Sequence, residues 1–243
     1  MEKQRLDKII ASTGKYSRRE VKLLVRQGRV LTDGVPARSA EDKYDPESTV
    51  VEVNRETLTY RRYTYLMMNK PAGVLSATED GRGTTVVDLL DPELKKLGLF
   101  PVGRLDKDTV GLLLLTNDGP LGHELLSPRH HVDKIYLTRV NGCLTEEDCA
   151  AFRAGMVLED GLHCLPAELK ILNTGETSEA LVTLREGKYH QVKRMLAARG
   201  KPVCYLCRIQ MGNLTLDSAL SPGAYRFLTP AEVEDCRNNR RDS

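Results

Sequence analysis

Residues 110–115, Val-Gly-Leu-Leu-Leu-Leu, are the stretch that most limits what this chain can fold into. Six positions without a polar side chain, too few for an ordinary helix, predict a strand buried on both faces. A polar segment, Gly103-Arg-Leu-Asp-Lys-Asp-Thr109, runs straight into it, and Thr116-Asn-Asp-Gly119 closes it. The central carboxylate of that segment, Asp106, therefore stands at the mouth of a buried strand, with no serine, cysteine or histidine beside it.

The segments around that strand mix the two periodicities. Tyr65-Leu-Met-Met68, 135–140 and 180–185 read as strands, and 205–216 as β with a turn at Met211-Gly-Asn213. Thr145–Ala154 reads as a helix with Thr145 as cap and Asp148 at the box position. Residues 189–199 carry Val192, Met195 and Leu196 at helical spacing, with Gly200 as the stop. Thr85–Leu90 reads as the start of a short helix that ends before Pro92. Strands and helices interleave without a regular βαβ rhythm, which predicts an α+β fold with a mixed, largely antiparallel sheet and flanking helices.

The first sixty residues read as a separate small unit. Leu6, Ile9 and Ile10 have amphipathic spacing. Ser17-Arg-Arg-Glu20 is a capping-box pattern that opens a second helix bearing Val21, Leu24 and Val25 on one stripe. At about 100° per residue, Arg18, Lys22, Arg26 and Arg29 fall within roughly 80° on another stripe, with Arg19 at its edge. Gly28 ends the helix, 30–36 reads as strand, turn and strand, and 48–53 alternates as a strand does. Residues 55–63, RETLTYRRY, lack a sustained apolar pattern and read as a linker. The expected organisation is 1–59, 60–236 and a polar tail, 237–243.

Charge is uneven along this plan. The net charge is +2, yet residues 1–38 hold ten Lys/Arg against four Asp/Glu, and 39–57 hold six acids against two bases. A basic head on a balanced body points to a polyanionic partner, most simply nucleic acid. At 243 residues, 40% apolar and 29% charged, the chain has material for a small and a medium core. No apolar run approaches the ~20 residues a membrane helix needs, and MEKQRLDKII lacks a signal-peptide profile. The six cysteines show no disulfide spacing and read as reduced thiols of a cytoplasmic protein. Cys204-Tyr-Leu-Cys207 lacks a second pair and lies in a β-like stretch whose i and i+3 side chains oppose, so no metal site is expected.

Over residues 4–54, the R-L-D-K start, the S-R-R-E helix and the G-R-V-x-x-D-G turn resemble the S4 RNA-binding domain. Its cationic helix face would neutralise phosphates without reading sequence. GRLDKDTVGLLLLTNDG resembles the catalytic motif of pseudouridine synthases, in the form used by the RsuA/RluB/RluE/RluF group. Asn69-Lys-Pro-Ala-Gly73, Lys134-Ile-Tyr136, EGKYHQVKRM (186–195) and LCRIQMG (206–212) line up with the same group, as does the domain order. SPRHH (127–131) and EGKYHQVKRM are most similar to its small-subunit, 16S rRNA branch.

The resemblance implies a reaction that breaks the N-glycosidic bond of a uridine, turns the base and joins C5 to C1′. It involves neither redox nor net hydrolysis, so no cofactor or metal is expected. An ionised carboxylate is a competent nucleophile without a partner base. The resemblance implies Asp106 in that role, by attack at C1′, addition at C6 or assisted glycal formation. It implies Tyr136 stacked on the target base, Lys193 as the cation paired with Asp106, and Arg104 on RNA phosphate or in the space of the extruded base. Arg194 is expected on phosphate, Leu184 in the pocket wall, and His190 as a brace for its loop. The expected partner is ribosomal RNA, most simply 16S, met by a monomer; 23S RNA is the alternative within the group. Two other readings stand beside this one: an RNA-binding or ribosome-assembly protein without the chemistry, and an unrelated hydrolase using Asp106 and Asp108 as a pair.

Overall fold

The computed structural model describes residues 3–127 and 132–238. Most of the SPRHH segment, 128–131, and the last tail residues, 239–243, lie outside them. Two compact units are present. One holds the chain up to Thr64 together with Val87–Phe100; the other holds Tyr65–Val86 and the chain from Pro101 onward.

In the first unit, β1 (Gln4–Arg5) precedes α1 (Leu6–Ala11) and α2 (Arg18–Arg26), and β2 (Val30–Thr32), β3 (Val35–Pro36), β4 (Lys43–Tyr44), β5 (Val51–Val53) and β6 (Glu56–Leu58) follow. The apolar stripes of both helices close on β2 and β5 in one core that contains Leu6, Ile10, Val21, Leu24, Val30 and Val53. Ser17 and Glu20 make both bonds of the capping box. The Glu20 carboxylate accepts from the Ser17 N–H at 2.6 Å, and Ser17 Oγ accepts from the Glu20 N–H at 3.3 Å.

Two expectations need correction here. The start of the segment read as a linker is strand β6, paired with β5 from Val53↔Glu56 to Val51↔Leu58. Its turn places Asn54 and Arg55 in the left-handed region (φ 55° and 68°), and the Glu-Thr-Leu strand is too polar to show an apolar pattern. Residues 85–90 form turns rather than a helix; the helix is α3 (Pro92–Lys95), which Pro92 opens. Proline suits the first helical turn, where its missing N–H has no intrahelical acceptor, so here it marks a start and not a stop.

The second unit continues with β7 (Tyr65–Lys70), β8 (Phe100–Pro101), β9 (Val110–Thr116), α4 (Gly119–Leu126), β10 (Lys134–Asn141), α5 (Glu146–Ala154), β11 (Met156–Val157) and β12 (His163–Cys164). It closes with β13 (Glu168–Asn173), β14 (Thr177–Leu184), α6 (Gln191–Ala198), β15 (Val203–Met211), β16 (Leu214–Thr215), β17 (Tyr225–Phe227) and α7 (Pro230–Arg237). The main sheet runs β13-β14-β10-β15-β9-β7-β17. Neighbours on this path are antiparallel except β15 and β9, which meet in parallel at Cys207↔Val110 and Arg208↔Gly111. The fold is α+β with a mixed, mostly antiparallel sheet.

The Leu112–Leu115 run is fully buried because β9 lies inside the sheet, between β15 and β7. Gly111 makes the parallel junction possible. Its φ is +99°, and a Cβ there would stand 2.3 Å from the Arg208 carbonyl oxygen. The loop that carries Asp106 therefore ends where the sheet changes direction.

Candidate active site

Asp106 sits on a loop that is fastened from below by the end of β7, the antiparallel neighbour of β9. Lys70, at the end of β7, is fully buried, and its ammonium donates to the backbone carbonyls of Thr109 (2.8 Å), Asp106 (3.1 Å), Pro71 (3.1 Å) and Lys107 (3.3 Å). Burial pulls the Lys70 pKa down to about 8, against the upward pull of the Asp108 and Asp106 charges. Ser76 grips the residue before Asp106 twice: its hydroxyl donates to the Leu105 carbonyl at 2.9 Å and accepts from the Leu105 N–H at 3.1 Å. The Gly73 N–H adds a bond to the Lys107 carbonyl at 2.7 Å. The Asn69-Lys-Pro-Ala-Gly73 turn thus serves as the seat of the carboxylate's loop. Lys70 and Ser76 were not singled out from sequence; the signal available was a lysine placed between an apolar strand and a Pro-Gly turn.

Helix α6 brings the cation. Lys193 donates to Asp106 Oδ2 at 2.9 Å and to Asp108 Oδ1 at 2.6 Å. Burial lowers the Lys193 pKa, but the two carboxylates outweigh it and the net displacement is upward. Asp108 moves down, chiefly through its bond from Lys193. His190, just before α6, places Nε2 3.4 Å from Asp106 Oδ1. It does so from a left-handed backbone (φ 50°, ψ 30°), uncommon for a residue with a side chain. The expectation of His190 as a loop brace thus meets a residue in direct contact with the carboxylate.

Tyr136 and Leu184 approach from strands β10 and β14. With Arg104, Leu105, Asp106 and Leu206 they line a pocket of about 60 Å³. Tyr136 is 9% exposed and Leu184 3%, so both are buried apart from what the pocket reaches. The structure brings together Arg104 and Asp106 from one loop, Tyr136 from β10, Leu184 from β14 and Lys193 from α6, four separate parts of the chain.

Arg194 points elsewhere, to an ion pair with Asp160 at 2.5 Å. On α2, Arg18 reaches the buried carboxylate of Asp7 at 3.1 Å, and Lys22 reaches Glu41 at 3.2 Å. Arg19, Arg26 and Arg29 are exposed, and no ion pair involves them among the described residues. Among the described residues, no cluster of three His, Cys, Asp or Glu could hold a metal, no helix is long and apolar enough to cross a membrane, and no disulfide joins any of the six cysteines.

Comparison with known proteins identifies the family. Residues 64–198 match the model of the RNA pseudouridylate synthase family, and residues 4–50 match the S4 domain. The chain is 51% identical over 231 residues to YtzG of Bacillus subtilis (strain 168), named an uncharacterized RNA pseudouridine synthase, with 94% of this chain and 96% of that protein covered. It is 40% identical to the ribosomal small subunit pseudouridine synthase A of Vibrio cholerae, covering 94% of this chain and 97% of that one. A crystal structure of a pseudouridylate synthase superposes with a TM-score of 0.68 at 36% identity, over 96% of this chain and 99% of that chain. With a carboxylate loop seated at the parallel junction, a paired lysine, and matches that run nearly end to end, the chain belongs to the RNA pseudouridylate synthase family and carries an S4 domain ahead of its synthase domain.

Proposed function

We propose that this chain isomerises a uridine of 16S ribosomal RNA to pseudouridine, with Asp106 as the nucleophile. The observation that carries the reading is the Asp106 carboxylate, held 2.9 Å from the Lys193 ammonium beside a pocket walled by Tyr136 and Leu184. A carboxylate already paired with a cation meets an electrophilic carbon without needing a general base. Attack at C1′, addition at C6 and assisted glycal formation all start from a base seated over this group.

The target uridine leaves its stack at a cost of a few kcal/mol and stacks on Tyr136. Leu184 closes the apolar side of the pocket, and Arg104 meets phosphate or fills the place of the extruded base. Arg194, whose ion pair with Asp160 is partly exposed, exchanges that partner for phosphate. Arg18, Arg19, Lys22, Arg26 and Arg29 hold the surrounding RNA with an affinity that falls as salt rises. The reaction needs neither an electron carrier nor a metal, because bonds are only exchanged within one nucleotide. In this reading the chain acts as a monomer. Work on ribosomal RNA places it in the cytoplasm. The 16S assignment draws on the small-subunit synthases among its relatives.

The test is tritium release from C5-labelled 16S and 23S transcripts, and from partly assembled subunits, by the wild type and by Asp106→Asn. Release from 16S that the substitution lowers by at least about 10⁴-fold fits a lost nucleophile. Release from 23S alone overturns the substrate; release that survives the substitution overturns the nucleophile.

A further inference from the structure

A second, larger cavity adjoins the small pocket at Asp106. It measures about 560 Å³, within the roughly 300–1,000 Å³ of small-ligand sites. The two share Arg104, Leu105, Asp106, Gly187, Lys188 and His190, but their outer walls differ. Tyr136 and Leu184 line only the inner pocket, whereas Leu75, Ala77 and Tyr189 line only the outer cavity. A base seated against Tyr136 therefore leaves the outer space unfilled.

Tyr189 is the feature that gives this space a chemistry. The residue is 75% exposed, and one face of its ring is stacked on His190 with centroids 3.8 Å apart and planes at 18°. The His190 backbone that orients this pair is left-handed, a conformation that costs energy in a residue with a Cβ and that collects at functional sites. Tyr189 lines the cavity, and its second face meets no other ring among the described residues. Arg104 and Lys107 border the same space; both are exposed, and neither has an ion-pair partner among the described residues. Lys188 is different, since Glu186 at 3.1 Å and the His163 carbonyl already hold it. Asp80 offers little to a base edge from Oδ1, which accepts the N–H groups of Arg82 (2.9 Å) and Gly83 (2.8 Å).

An exposed aromatic ring beside unpaired cations is the equipment of single-stranded RNA binding, where rings take bases and cations take the backbone. We propose that the outer cavity is a second nucleotide subsite. The base next to the target uridine stacks on the second face of Tyr189, and its phosphate meets Arg104 and Lys107. The inference rests on the RNA-modifying reading above and adds where the flanking nucleotide goes. Because every base has a π-face, this subsite tolerates sequence and contributes mainly to affinity.

The test uses the full chain and the 16S transcript. In an Asp106→Asn background, which separates binding from turnover, filter binding compares Tyr189→Ala, Tyr189→Leu and Tyr189→Phe with the parent. Loss of one stacked base weakens binding by roughly 10-fold in the Ala and Leu variants, while Phe stays within about 3-fold. Leu keeps apolar bulk without a ring face, so it separates stacking from packing. In the active background KM rises in parallel, by more than any fall in kcat. Equal affinity for all four proteins overturns the subsite. So does a fall in kcat with unchanged affinity, which would make Tyr189 a prop for His190. Failure of the wild type to release tritium would count against the function alone, because the ranking of dissociation constants still decides the subsite.

Discussion

Lys193 Nζ stands 2.9 Å from Asp106 Oδ2, a contact that closes 87 residues of chain and is made by side chains only about a quarter exposed (22% and 24%). It joins the first turns of α6 to the loop before β9, two places with no local reason to meet. The lysine also serves Asp108 at 2.6 Å, so one ammonium neutralises two carboxylates.

Removing that ammonium leaves two carboxylates facing each other in a partly dry site. Breaking a buried pair costs about 3–5 kcal/mol, and partial exposure here reduces the figure to about 2. Lys193→Met is therefore expected to lower kcat by roughly 30-fold, with Lys193→Arg much milder. Single-turnover tritium release at saturating RNA checks it.

Lys70→Met removes the ammonium that donates to the carbonyls of Pro71, Asp106, Lys107 and Thr109. The Gly73 and Thr109 N–H groups still serve the Lys107 and Asp106 carbonyls, so the loss costs on the order of 2 kcal/mol, read by urea unfolding, and kcat falls as the loop shifts. The pH dependence has a definite sign. The folded pKa of about 8 lies below the ordinary 10.5, so between these values the unfolded chain binds more protons. Lys70 thus makes stability rise with pH across that window, and Lys70→Met flattens the rise.

Gly111→Ala forces a Cβ to within 2.3 Å of the Arg208 carbonyl and 2.6 Å of the Cys207 sulfur, at a φ of +99°. Strain and overlap together are expected to destabilise by at least about 3 kcal/mol. Gly81→Ala, where the new atom meets nothing within 4 Å and φ is ordinary, serves as control. Thermal melts of both variants decide the matter.

Glu232 sets the acid limit of the α7 attachment. Its carboxylate accepts two bonds from Arg226, at 2.7 and 2.8 Å, and one from the Thr229 N–H at 2.8 Å. The Arg226 bonds lead in bringing its pKa down from 4.5 to about 2. The contribution, about 2–3 kcal/mol, is fully present above pH 4.5 and is lost as pH falls towards 2. Glu232→Gln should remove that slope from urea unfolding measured between pH 2 and 5.

The elements with strong local signals were legible in the sequence. Ser17 and Glu20 mark the start of α2, and the unbroken Val110–Leu115 run marks β9. Other elements draw their stability from partners that a local window does not contain. Strand β6 is Glu-Thr-Leu, ordinary surface chemistry until β5 supplies its ladder. Pro92 reads equally well as the end of one helix or the first turn of another. At the site, Asp106, Tyr136 and Lys193 were singled out through motif resemblance, while Lys70 and Ser76 act on backbone carbonyls and N–H groups. A contact to main chain leaves no complementary residue type to find. The Arg194–Asp160 and Arg18–Asp7 pairs were hidden for a related reason, since helix periodicity gives the face of a cation but not its partner.

The parallel junction of β9 and β15 also fixes a sequence of events during synthesis. Asp106 leaves the ribosome early, but β9 and β10 lie in one sheet only after β15 has been made to stand between them. At ~5–20 residues per second, the interval from Asp106 to the end of β15 is roughly 5–20 s. Closing so long a loop carries an entropic penalty that only the finished sheet repays. A nascent chain therefore holds its carboxylate for seconds without a site around it, and competence arrives late, in one step, with β15.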